Sequence, residues 1–115
     1  MSLTIYHNPR CSKSRQTLAL IEATGQTPEI ILYLETPLSE SQIKGLIEKL
    51  GLNGPRDLLR KGEAIYKELG LKDVMDDVAL IKAMVAYPKL IERPIVVRGE
   101  QAILGRPPEN VEILL

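Results

Sequence analysis

The chain contains no tryptophan and no phenylalanine, one cysteine and one histidine, and its 15 basic side chains are matched by 15 acidic ones. Each scarcity removes a class of function. With four tyrosines as the only aromatic residues, base-stacking platforms are not expected and the core must be aliphatic. Zero formal net charge leaves no global field to favour nucleic acid, an anionic membrane or acidic partners, so an anion site requires a local cluster of cations. No apolar run is long enough to span a bilayer, and no basic-then-apolar leader precedes a cleavage site. Neither a membrane anchor nor an export signal is therefore expected. One cysteine cannot close an internal disulfide, which suits a reducing cytosol. One cysteine and one histidine do not fill a zinc shell either, so no metal is expected. At 115 residues the chain fits one cytoplasmic domain with a single core.

Periodicity then orders the elements. "SLTIYH" alternates Leu3 and Ile5 with polar neighbours and reads as a strand ending near His7. After the "NPRC" turn, "SKSRQTLALIEATG" reads as a helix to Ala23 with Gly25 as its stop. "EIILYL" is β-branched-rich and reads as a buried strand. A strand–helix–strand unit with a crossover helix makes these two strands parallel.

The middle of the chain is helical. Ser39 and Gln42 form a capping box ahead of Ile43, Leu46, Ile47 and Leu50. "GPRDLLRKGEAIYKELGL" suggests two short helices broken at Gly62, and "DDVALIKAMVAYP" a further helix ended by Pro88. "RPIVVRGEQAILGRPP" then reads as two strands around Gly99, and "PENVEILL" as a last helix. The predicted fold is an α/β sandwich on one mixed sheet, β-α-β then β-β-α, with helices between the halves.

The chemistry concentrates in "YHNPRCSKSR". Cys11 reads there as a small buried residue, as half of a metal site, or as a nucleophile. A lone cysteine is most often the first. Here, however, the turn-to-helix position places Cys11 where unpaired backbone N–H groups and the helix dipole favour an anion. Arg10, Lys13 and Arg15 add positive charge, and such surroundings favour a reactive thiolate. His7 either orients this loop and polarises the thiol or merely ends a strand. Ser12 and Ser14 are candidate helix caps, and a hydroxyl beside a thiolate can also donate to it.

Spacing limits the thiol chemistry. A dithiol loop needs Cys-x-x-Cys, but Ser14 holds the second position, so the chain cannot resolve its own mixed disulfide. A phosphatase-type loop needs Arg about six residues on, whereas Arg15 stands four after Cys11. Arg60, Arg93 and Arg106 are individually ordinary surface residues. The last two flank the predicted hairpin, which could carry them to one rim, and guanidinium forks suit tetrahedral oxyanions. The Arg93–Pro94 bond, just before a strand, is a plausible cis site.

Taken together, "HNPRCSKSR", "LLRKGE", "DVALIKAMVAYPKLIERPIVV" and "LGRPPE" resemble the glutaredoxin-coupled arsenate reductase family (ArsC-like), in family order over essentially the whole chain. The resemblance implies a thioredoxin-like fold as a single domain over 1–115, with a helical insertion over about 39–88. It implies that Cys11 is the nucleophile and that His7 helps to hold it as a thiolate. Arg60, Arg93 and Arg106 would hold the oxyanion and its arsenic intermediates, and Pro94 would be the family's cis-proline. Asn8, Ser14 and Arg15 belong to the same loop signature. The implied reaction reduces arsenate to arsenite through a cysteine S–As intermediate, with no bound cofactor, glutathione as co-substrate and glutaredoxin as partner. A monomer is expected, with no direct nucleic-acid or membrane contact. Two alternatives accompany this reading. One is a Spx-like regulatory binding protein that contacts RNA polymerase, though Ser14 removes that family's redox pair. The other is a glutathione-dependent thiol reductase with a different substrate.

Overall fold

The computed structural model describes residues 2–115 and divides the backbone into two compact units, Met1–Thr36 with Arg93–Leu115, and Pro37–Glu92. The first unit carries the sheet. Strands β1 (Leu3–Tyr6), β2 (Glu29–Ile31), β3 (Ile95–Arg98) and β4 (Gln101–Leu104) lie in the order β2-β1-β3-β4. β1 runs parallel to β2 and antiparallel to β3, and β3 is antiparallel to β4. The mixed sheet follows from the connections. The helix α1 (Ser12–Ala23) crosses over between β1 and β2, whereas β3 and β4 are joined by a tight turn in which Gly99 takes φ +62°.

Burial follows the two periodicities. Leu3 and Ile5 of β1 face inward with Val96 of β3, and Ile21 of α1 closes over them. Val111 and Leu114, from a 3-10 segment over Pro108–Leu114, complete the cluster. A fully buried aliphatic side chain contributes on the order of 1.5–3 kcal/mol, so this cluster anchors the sheet, α1 and the C-terminal segment to one another. The buried residues of α1 are Ser14, Thr17 and Ile21, a stripe at helical spacing. That stripe turns from apolar to hydroxylic as it approaches Cys11.

Two expectations are corrected here. The run "EIILYL" forms a strand only over Glu29–Ile31, and it stands at the sheet edge, not in the interior. Ile30 is 45% exposed. After Ile31 the chain folds into a turn in which the N–H groups of Glu35 and Thr36 both donate to Leu32 O; an edge strand has one unpaired side, so nothing holds these residues extended. The C-terminal segment is 3-10, not α-helical; Pro107 and Pro108 at its start supply no N–H donors.

In the second unit, α2 (Glu40–Leu50) begins with the predicted capping box. Ser39 Oγ accepts from Gln42 N at 3.1 Å and Gln42 Oε1 accepts from Ser39 N at 2.8 Å. It ends at Gly51 in the left-handed region, φ +69°. Buried Ile43, Leu46 and Ile47 face the buried residues of α4 (Asp77–Ala86), Leu80, Ile81 and Met84. Between them run a 3-10 turn at Pro55–Leu58, the short helix α3 (Ala64–Glu68) and another 3-10 turn at Leu71–Asp73. Irregular backbone leaves carbonyls without helical partners, and Arg56 supplies donors: its guanidinium bonds to the Tyr66 hydroxyl at 3.1 Å, to Leu71 O at 3.1 Å and to Val74 O. Among the described residues no helix is long and apolar enough to cross a membrane.

Candidate functional site

Three chain segments of the first unit reach one end of its sheet. β1 leaves the sheet at Tyr6 into the Cys11 loop. Tyr6 pairs with Ile95, so Arg93 and Pro94 enter β3 beside it, and Ile95 pairs with Leu104, so Gly105 and Arg106 leave β4 at the same end. The antiparallel hairpin thus does to Arg93 and Arg106 what the sequence led one to expect. Both following peptide bonds, Arg93–Pro94 and Arg106–Pro107, are cis; only the first was anticipated.

Cys11 is the N-cap residue of α1, with extended backbone angles and 9% exposure. Its carbonyl accepts the first helical bond, from Arg15 N at 3.0 Å. No side chain caps this helix and no acidic residue occupies its first turn, so its N-terminal N–H groups remain available to an anion.

The loop is knitted by its own polar groups. Ser14, fully buried, places Oγ 2.6 Å from His7 Nδ1 and accepts from Asn8 N at 3.0 Å. Asn8 Oδ1 accepts from Arg10 N at 3.0 Å, and Arg15 Nη1 donates to Pro9 O at 2.9 Å. Asn8, Ser14 and Arg15 therefore fix the loop's shape in this structure, and their hydrogen bonds run within it. His7 is itself buried. Burial, and then the nearby Arg15 charge, hold its imidazole below the ordinary value of 6.5, opposed in part by Glu22. At neutral pH it is a neutral ring that hydrogen-bonds to Ser14.

That shift has a consequence for stability. In the unfolded chain His7 takes up a proton near its ordinary value; in the folded chain it does so only at lower pH. Its contribution is therefore fully present above about pH 6.5 and is lost as pH falls through the depressed folded value. The urea midpoint should drop between pH 7 and pH 5, and should drop less in His7→Gln. Equal drops in both proteins would remove His7 from the acid response.

Two residues that the sequence reading did not single out join the helix to the arginines. Thr17, fully buried, donates through Oγ1 to Lys13 O at 2.8 Å and lies 3.4 Å from Gly105 O. Gly105 N donates to Pro94 O at 2.9 Å. A Cβ at position 105 would stand 2.4 Å from Thr17 Oγ1 and 2.8 Å from Pro94 Cγ, so only glycine permits this approach. The clue was present, since Thr17 follows Ser14 by one helical turn, but its partner lies 88 residues away.

The arginines differ in state. Arg93 is half-buried, and its Nε and Nη1 are inaccessible to solvent and have no hydrogen-bond partner. Arg106 is exposed, with Nη1 3.4 Å from Arg93 O. Arg60 belongs to the second unit. There an isolated bridge between Leu59 and Ile91 sets it beside Glu92, and its guanidinium pairs with Glu63 Oε1 at 2.5 Å and Glu92 Oε1 at 3.2 Å. These carboxylate partners were not foreseen. Among the described residues no group of three metal-ligating side chains occurs.

A guanidinium with two buried, unpartnered nitrogens, at the same end of the sheet as a cysteine and an uncapped helix, is a place suited to an oxyanion. A model of the ArsC family matches residues 6–114. The chain is 47% identical over 116 residues to the arsenate reductase of Haemophilus influenzae, covering 99% of this chain and 100% of that one. It is 55% identical over 108 residues to the Escherichia coli K12 protein YfgD, described as uncharacterized, covering 93% and 91%. The solved arsenate reductase from Vibrio cholerae superposes with a TM-score of 0.97 at 55% identity, covering 100% of this chain and 98% of that one. The thioredoxin-like arrangement expected of the fold is thus the one found.

Proposed function

Because the chain belongs to the ArsC family, we propose that it is an arsenate reductase working by thiol chemistry at Cys11, with glutathione as co-substrate and glutaredoxin as final reductant. The observation that carries the assignment is Arg93. A charged group whose donors are buried and unpaired costs several kcal/mol unless a partner arrives. An oxyanion is that partner, because each guanidinium N–H can meet one of its oxygens.

The reaction follows from one cysteine. The Cys11 sulfur attacks arsenic(V), and an oxygen of arsenate leaves as water, giving an S–As(V) bond. Donors aimed at the arsenate oxygens, from Arg93 and from the N-terminal turn of α1, stabilise the charge that develops there. The thiol of glutathione then supplies the second sulfur. The two sulfurs become a Cys11–glutathione disulfide, arsenic gains two electrons, and arsenite departs. With Ser14 in the position a resolving cysteine would need, that disulfide must be opened from outside, which is the task of glutaredoxin.

The test is a coupled assay with arsenate, glutathione and glutaredoxin. Arsenate-dependent oxidation of the thiol pool is expected, and arsenate should also slow alkylation of Cys11 with no thiol present. Absence of both effects at millimolar arsenate would refute the assignment.

A further inference from the structure

A cleft of about 260 Å3 opens beside the Cys11 loop, lined by His7, Asn8, Pro9, Arg10, Leu32, Leu34 and Glu35. Resting on the function proposed above, we infer that this cleft is the binding site for the reductant, a short peptide thiol bearing a free ammonium and free carboxylates.

Position argues first. β1 stands between β2 and β3 in the sheet. Arg93 and Arg106 flank β3 and β4 at this end of the sheet, whereas the cleft lies on the β2 side. Oxyanion and thiol would then approach the loop from different sides. The lining run also ends at Arg10, next to Cys11 in the chain.

The walls are already held in place. His7 N donates to Ile31 O at 2.9 Å, tying the loop to β2, and the turn on Leu32 O presents Leu34 and Glu35. Asn8 and Arg15 fix the opposite wall through their bonds to Arg10 N and Pro9 O. A cleft formed before its ligand arrives loses little entropy on binding.

Charge then selects the occupant. Arg10 and Glu35 are both exposed, and neither side chain has an ion-pair or hydrogen-bond partner among the described residues. The same lining includes Pro9, Leu32 and Leu34, the last 39% exposed. A cation and an anion in one partly apolar cleft complement a molecule that carries both a carboxylate and an ammonium. Glutathione carries both. At about 260 Å3 the cleft is far larger than an oxyanion such as arsenate, which would leave most of it unfilled.

The experiment uses the full chain and the thiol-blocked probe S-methylglutathione. In a 1H–15N titration, amide shifts should centre on Asn8, Arg10, Leu34 and Glu35. Glu35→Gln should weaken that binding and raise the KM for glutathione by about three- to tenfold, the range for a partly exposed charge contact. The KM for arsenate should not move, nor should turnover when neutral 2-mercaptoethanol replaces glutathione. Shifts centred elsewhere, or an unchanged KM for glutathione in Glu35→Gln, would overturn the inference. Slowed alkylation of Cys11 by arsenate uses neither the cleft nor a thiol, so it reports separately on the proposed function.

Discussion

Cys11→Ser should show no arsenate turnover above background, a loss on the order of 10⁴-fold or more, as for removal of other catalytic nucleophiles. The substitution is nearly isosteric, and position 11 is an N-cap with extended backbone, where serine is favoured. Fold and thermal midpoint should therefore hold. What fails is chemical. A serine hydroxyl is ionised negligibly at neutral pH, and even an O–As bond would offer no sulfur for glutathione to pair with, so arsenic could not take its two electrons. Arsenate should still bind, because Arg93 and the helix N-terminus are untouched. Calorimetry on the variant should therefore show arsenate binding with no product formed. Arsenite production by Cys11→Ser, with the same thiol dependence as the parent, would end the cysteine mechanism.

How far this site could be read from the sequence depended on how local its determinants are. The strand–turn–helix around Cys11 was legible because alternation in "SLTIYH", the turn at Pro9 and the stop at Gly25 all act within a few residues. The capping box of α2 and the Gly99 hairpin were legible for the same reason. The edge position of β2 was not, since β-branched composition reports strand propensity and is silent on how many neighbours a strand will have. Nor could composition tell a 3-10 segment from an α-helix at the C-terminus. At the site, Arg93 and Arg106 were placed correctly by hairpin logic. The contact of Thr17 with Gly105, and the pairing of Arg60 with Glu63 and Glu92, depend on tertiary register. No short-range pattern encodes them.

The division of labour at Arg93 yields the second large effect. Arg93→Ala should lower kcat/KM for arsenate by about 10²-fold, the upper part of the ~1.5–3 kcal/mol carried by charge-assisted hydrogen bonds. Arg93→Lys should recover only part, because an ammonium cannot present the planar fork. Stability should move the other way. In the free protein Nε and Nη1 are buried without partners, so removing the guanidinium removes a desolvation cost, and the Ala variant should melt no lower than the parent. Added arsenate should reverse the order. Ligand at a hundred times its dissociation constant stabilises the parent by about 2.7 kcal/mol, while the variant, binding more weakly, should gain far less. The backbone contact from Arg106 to Arg93 O survives in every variant, which confines the change to the side chain. Thermal melts with and without arsenate, set beside the kinetics, therefore separate an anion-holding arginine from a structural one. A structural Arg93 would lower the melting point of the free variant and leave the arsenate-induced rise as large as in the parent.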